Sequence, residues 1–300
     1  MKVILSFLVI CFIFYLFSLK KDYSRVHLPV VSDNRIPIWV YLPQESNKFR
    51  FNFRYPYQSY EYAPVYLQLC LQKLKESVDS RLFKIHVVTP DNLHSYLPDF
   101  RLDLHKETKY KDKDIYDLIG GKLLLEYGGL WLFPGCIVID MKDLYSQLTT
   151  HDLVTFGSSS FTSCHKKNPN NKIIGATPQN PILRVYVDNL EKNMTGDIQT
   201  LHRHVGIDLD PLGDAIHRFH TLSRYHYGCE RDGSLNVYGR KMNLDDYLGK
   251  YPISYDYRQL MFISFPYELL DIETNYRWFK FSSHTDLLTS NINILSYLNN

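Results

Sequence analysis

Asp117-Leu118-Ile119-Gly120-Gly121-Lys122-Leu123-Leu124-Leu125-Glu126-Tyr127-Gly128-Gly129-Leu130-Trp131-Leu132 is the stretch that decides the fold. Apolar residues recur at helical spacing from Ile115 to Tyr127, and Gly128-Gly129 then supplies the backbone freedom that ends a helix. Directly after it, Leu130-Trp131-Leu132-Phe133 reads as a buried strand. Past the turn signal Pro134-Gly135, a second apolar run covers Cys136 to Ile139. A helix that closes on a glycine pair and passes at once into a strand is part of a layered α/β unit.

The same alternation extends outward. Ile36-Pro37-Ile38-Trp39-Val40-Tyr41-Leu42 predicts a strand, Pro64 to Val78 a helix, and Phe83 to Val88 a second strand that stops at Thr89-Pro90-Asp91-Asn92. Beyond Asp140, strands are predicted at Asp152 to Phe156 and Lys172 to Ala176, with a helix from Ile182 to Asn193. No repeat or Pro/Gly linker divides this region, so it is expected to form one open α/β sheet with ligands at the carboxyl ends of its strands. From Gly206 to Asn300 the chain is Tyr-rich and full of turn residues, and no regular pattern emerges.

Upstream, Val3 to Leu19 is an uncharged apolar run followed by Lys20 and Lys21, long enough to cross a bilayer. Its bulky end, Phe14-Tyr15-Leu16-Phe17-Ser18-Leu19, lacks the small residues of a cleavage site. Residues 1–21 are therefore expected to be an uncleaved transmembrane signal-anchor, residues 22–35 a polar stem, and residues 36–300 the folded domain. Lys20, Lys21 and Arg25 argue for a cytosolic domain by the positive-inside rule, whereas type II lumenal anchoring is common for processing enzymes; the orientation stays open.

With 34 Lys+Arg against 32 Asp+Glu, the charge is too balanced for a nucleic-acid surface. The five cysteines, Cys11, Cys70, Cys136, Cys164 and Cys229, contain no Cys-x-x-Cys pair and predict neither a zinc site nor a disulfide framework. Walker, G-x-G-x-x-G, G-x-S-x-G and H-E-x-x-H motifs do not occur.

The segment from Asp117 to Asp140 resembles the central motif of DXD glycosyltransferases of the capsular polysaccharide synthesis and glycosyltransferase sugar-binding type. In that motif a Ser-Asp and an Arg open a helix that ends in Tyr-Gly-Gly; an aromatic strand and an Asp-x-Asp follow. Asp117, Leu125, Tyr127, Gly128, Gly129, Trp131, Ile137 and Val138 match in spacing. Ile36-Pro37-x-Trp39, Val87 to Pro98 and Gly175-Ala176-Thr177-Pro178-Gln179-Asn180-Pro181-Ile182 are similar to flanking parts, so the likeness is strongest over residues 36–190. The resemblance implies a GT-A-like (Rossmann-like) open mixed sheet as a single domain behind the N-terminal transmembrane helix. It also implies a nucleotide-sugar donor, a glycan or other hydroxyl acceptor, and hexosyl transfer, with Asp117, Gly128, Gly129 and Trp131 as donor-binding positions.

Two departures bear on the chemistry. Gly120 stands where the family has Arg, and Phe133 and Gly135 stand where it has the two acidic residues. An Asp-x-Asp brings a divalent cation to the diphosphate and offsets charge on the leaving group, which Phe and Gly cannot do. Mn²⁺ or Mg²⁺ is thus expected only where a remote carboxylate substitutes, and a binding or assembly subunit without catalysis is the alternative to an active transferase. For a recently degenerate transferase the resemblance implies that Phe133→Asp with Gly135→Asp would create metal-dependent donor binding, with Gly120→Arg adding a phosphate contact if its side chain reaches the pocket. An already active, metal-independent enzyme would instead lose turnover.

Several residues stay open between roles. Asp117 is either a nucleotide ligand or a first-turn acid favoured by the helix dipole. Gly128 and Gly129 suit a turn, and Trp131 suits a base-stacking ring or a buried strand. Asp140 and Asp208-Leu209-Asp210 are either metal ligands or loop and cap acids, and His202, His204, His217, His220 and His226 form a cluster without ligand spacing.

Overall fold

The computed structural model describes residues 33–43, 45–46, 61–62, 64–101, 112–157, 169–195, 212, 225–229, 242–250, 260–271 and 273–298. The expected anchor at residues 3–19 lies outside them; among the described residues no helix is long and apolar enough to cross a membrane.

Strand β1 (Ile36–Tyr41) leads to a short antiparallel pair, β2 (Glu45–Ser46) with β3 (Glu61–Tyr62), then to helix α1 (Val65–Ser77) and strand β4 (Phe83–Val88). After α2 (Leu93–Tyr96) come α3 (Asp112–Tyr127), β5 (Gly129–Leu132), β6 (Cys136–Val138), α4 (Leu144–Thr150), β7 (Leu153–Gly157), β8 (Pro169–Ala176), α5 (Pro181–Thr195) and β9 (Tyr225–Cys229). The predicted elements from β1 to α5 are all present, with ends displaced by a few residues; α2 and α4 carried no periodic signal.

Six strands form the central sheet in the order β4-β1-β5-β8-β7-β9. β1 pairs in parallel with both β4 and β5, β8 runs antiparallel to β5 and β7, and β9 is parallel to β7. The sheet is therefore mixed, with β8 reversed. Its strands read as near-continuous apolar runs because both faces are covered. Ile38, Leu130, Leu132, Val154 and Ile173 are buried in one core with Ile119, Leu123 and Leu124 of α3 and Leu183, Tyr186 and Val187 of α5.

A second core packs α1 against the C-terminal part of the chain: α6 (Leu244–Leu248), β10 (Phe262–Ser264), α7 (Arg277–Lys280), α8 (His284–Thr289) and three short 3₁₀ turns. The antiparallel pair β6–β10 divides the two cores. Side chains alternate along a strand, so Cys136 and Val138 enter the first core while Ile137 enters the second. Phe262 and Ile263 divide in the same way. This explains why Cys136 to Ile139 is an unbroken apolar run. From Ile36 to Asn300 the chain forms one compact unit; in the preceding unit, Arg35 donates from Nε and Nη2 to the Asp33 carboxylate at 2.8 and 2.6 Å.

Candidate functional site

The chain leaves β1 for β4 on one side and returns to β5 on the other, so the connection reverses between β1 and β5. In open α/β sheets a ligand crevice forms at the carboxyl ends of such a strand pair. Here those ends are Tyr41 and the residue after Leu132, Phe133. Helix α3 begins at this edge and delivers Tyr116, whose ring lies 5.3 Å from Tyr41 and 5.5 Å from Phe133. The next residue, Asp117, is 3% exposed and accepts a 2.6 Å hydrogen bond at Oδ2 from Asn171 Nδ2. Lys172 follows, with Nζ 5.2 Å from the centre of the Phe133 ring.

A register break brings Asn171 and Lys172 here. Thr155 of β7 pairs with Ile174, but the next residue, Phe156, pairs with Asn170, so residues 171–173 bulge out of the ladder. Phe133 N–H nevertheless donates to Lys172 O at 2.8 Å, which fixes the two residues side by side. Lys172 was legible only as the first residue of a strand, and Asn171 gave no signal, because a bulge has no period.

Asp117 was open to a first-turn reading. The helix starts at Asp112, so Asp117 lies in its second turn, where the dipole has little effect. A carboxylate this deep needs hydrogen-bond donors, and Asn171 is one.

Phe133-Pro134-Gly135-Cys136 is a β-turn. Cys136 N–H donates to Phe133 O at 3.2 Å, Pro134 holds the second position, and Gly135 holds the third at φ +91. Phe133 is 1% exposed. A Cβ on Gly135 would lie 3.1 Å from Tyr267 Cβ, and Tyr66 Oη donates to Gly135 O at 3.1 Å. This strand end does not fit the divalent cation of the Asp-x-Asp motif: one position is a buried ring, the other a side-chain-free turn, and a lysine ammonium stands beside them. Carboxylates at 133 and 135 would be forced into a buried turn, contrary to the reinstatement that the resemblance implies for a degenerate transferase.

The other metal candidates divide similarly. Asp140 accepts from Lys142 N–H at 2.9 Å and shapes the turn into α4. Asp208, Asp210, His202, His204, His217 and His220 lie outside the described residues; His226 belongs to β9. Among the described residues no three His, Cys, Asp or Glu converge to hold a metal.

The remaining sequence-predicted donor positions are not gathered with Asp117. Gly128 and Gly129 stand at the opposite end of β5, with φ +69 and +98. A Cβ on Gly129 would lie 2.2 Å from Pro37 O, and one on Gly128 would lie 2.6 Å from Pro178 Cδ. Trp39 Nε1 donates to Gly128 O at 2.8 Å, and Gln179 N–H donates to Leu125 O at 2.7 Å. The three separate motif segments, 36–39, 125–129 and 175–182, thus close around one glycine pair. Trp131, 1% exposed, points its indole at Gly120, where a Cβ would come within 2.4 Å of the ring. That packing corrects the expectation for Gly120→Arg: any side chain from this backbone meets Trp131 first and does not reach the crevice.

A sequence model of the capsular polysaccharide synthesis protein family matches residues 39–195, just over half of the chain. The chain belongs to this family. The matched span contains β1, α3, β5 and β8 from Trp39 onward, and with them Asp117, Phe133, Asn171 and Lys172. No curated protein matches. Among solved structures, the glycosyltransferase GlyE of Streptococcus pneumoniae TIGR4 is 11% identical over 65% of this chain and 45% of that chain, with a TM-score of 0.34. The galactosyltransferase LgtC, solved with donor and acceptor sugar analogs, is 10% identical over 67% of this chain and 75% of that one, with a TM-score of 0.29. The chain spans less than half the length of GlyE.

Proposed function

We propose that this member of the capsular polysaccharide synthesis protein family is a glycosyltransferase-type domain that takes a nucleotide-sugar at the carboxyl edge between β1 and β5. The observation that supports it best is the buried Asp117 carboxylate, held by Asn171 at that edge inside the family-matched span. In the reaction, an acceptor hydroxyl oxygen bonds to the anomeric carbon while the bond from that carbon to the phosphate oxygen breaks. The nucleoside diphosphate departs with the bonding electrons, and the acceptor proton passes to solvent. The donor is a hexose nucleotide and the acceptor a glycan or other hydroxyl. Because Phe133 and Gly135 offer no ligand oxygen from a side chain, no step is assigned to a metal at that turn. Residues 3–19 hold the protein at a membrane.

Calorimetry of the full chain against UDP- and GDP-hexoses, in Mn²⁺ and in EDTA, tests the donor site. Binding that survives EDTA is the expected result; binding abolished by EDTA would mean that carboxylates elsewhere hold a metal. Donor binding without release of nucleoside diphosphate, for any acceptor offered, would favour the second reading, a binding or assembly subunit, to which the loss of both acidic residues also points. Mass spectrometry of the mature amino terminus tests the anchor, and a chain beginning after Leu19 would remove it.

A further inference from the structure

Resting on that donor-site reading, we infer that Lys172 binds the diphosphate of the nucleotide and takes the charge-offsetting part that a metal plays beside an Asp-x-Asp. Three features support this. Lys172 lies at the carboxyl edge of the β1–β5 crevice, opposite Phe133 in the ladder. It is half-buried while Phe133 is fully buried, and its ammonium nitrogen lies 5.2 Å from the centre of that ring. The bulge over residues 171–173 places it next to Asn171, which already reaches Asp117.

The residue at position 133 fits the same logic. An aspartate beside Lys172 would pair with the ammonium and neutralise it, whereas a phenyl face orients a cation through its quadrupole without cancelling the charge. Loss of the carboxylate and presence of the lysine therefore belong to one arrangement. When the bond from the anomeric carbon to phosphate breaks, the electron pair moves onto the phosphate oxygen. Lys172 stabilises that oxygen by a charge-assisted hydrogen bond, transfers no proton, and is unchanged when the diphosphate leaves.

Calorimetry on the full chain with UDP, GDP, uridine, guanosine and inorganic pyrophosphate, in EDTA, tests the assignment. Lys172→Met keeps an unbranched stem against Phe133 and removes the charge. It is expected to weaken binding of the nucleoside diphosphate about tenfold to a hundredfold, to leave the nucleoside unaffected, and to leave the unfolding temperature unchanged; Lys172→Arg should restore most of the loss. Wild-type affinity for the diphosphates in Lys172→Met would overturn the role of Lys172 and leave the donor site standing. Equal losses for uridine and UDP would reduce Lys172 to packing. Pyrophosphate bound as tightly as UDP or GDP would overturn the nucleotide as its ligand. No binding of any nucleotide by the wild type would overturn the donor site and this assignment together.

Discussion

The sheet core and the smaller core beyond it meet at the β6–β10 pair and are built from elements of different length. The first is assembled from long elements: Ile119, Leu123 and Leu124 on α3, Leu183 and Val187 on α5, and the strands between them. The second is assembled mostly from short elements packed on α1, with a cluster of rings among them. Tyr66 of α1 packs with Phe265 at 5.1 Å and Phe279 at 4.9 Å, and Tyr247 meets Phe265 at 5.5 Å. The difference teaches where function is anchored. The turn that replaces the acidic motif is made by the first core but braced by the second, through Tyr66 on Gly135 O and Tyr267 behind the glycine.

The largest effect is expected in the first core. Gly129→Ala combines a φ of +98 with a Cβ 2.2 Å from Pro37 O, and the strand β1 cannot retreat without leaving the sheet. A loss of about 3 kcal/mol or more, or failure to fold, is expected from strain plus overpacking, read by urea unfolding; a stability within experimental error of wild type would mean that β1 and β5 are not held this closely.

Phe279→Ala, in the second core, is expected to cost about 3–5 kcal/mol. Its more informative readout is cooperativity. Trp39 and Trp131 report on the first core, while Trp278 is half-exposed beside the second. Because β6 and β10 are shared, fluorescence and far-UV circular dichroism should show a single transition. Two separated transitions would break the picture of coupled cores.

Smaller effects probe the brace itself. Gly135→Ala should cost about 1–2 kcal/mol, since φ +91 disfavours any side chain and Tyr267 stands 3.1 Å from the new Cβ. Tyr66→Phe removes the donor to Gly135 O and should cost about 0.5–1.5 kcal/mol. Both should weaken nucleotide binding if the second core positions the turn at the crevice; an unchanged affinity in both would separate the brace from the site.

The smallest effect lies far from either. In the turn before β4, hydrogen bonds from Arg81 hold the Asp79 carboxyl at about 2, below its ordinary 3.8. A depressed carboxylate stabilises the folded state fully above the ordinary value and loses that contribution as pH falls through about 2. Asp79→Ala should therefore lower the unfolding temperature slightly at pH 7, with the gap to wild type closing near pH 2. Screening by solvent around the exposed Arg81 keeps the effect small.

How legible the molecule was in its residues follows from period and range. Strands β1, β4 and β5 and helices α3 and α5 carry apolar residues at periods a reader can count, because each buries a face against the sheet. The tight turn at Gly128-Gly129 was also readable, since only glycine tolerates such backbone angles cheaply. The absence of acidic residues at 133 and 135 was plain once the resemblance to the DXD motif was drawn. What the tertiary structure alone decided is what depends on distant partners. Trp131 excludes a side chain at Gly120, and Trp39 and Pro37 close on Gly128 and Gly129, which places the glycine pair away from Asp117. A bulge that no periodicity announces sets Asn171 on Asp117 and Lys172 over Phe133. Local propensity acts within a few residues, whereas these contacts join different elements of the chain, and they exist only once the sheet has set its strand order and register.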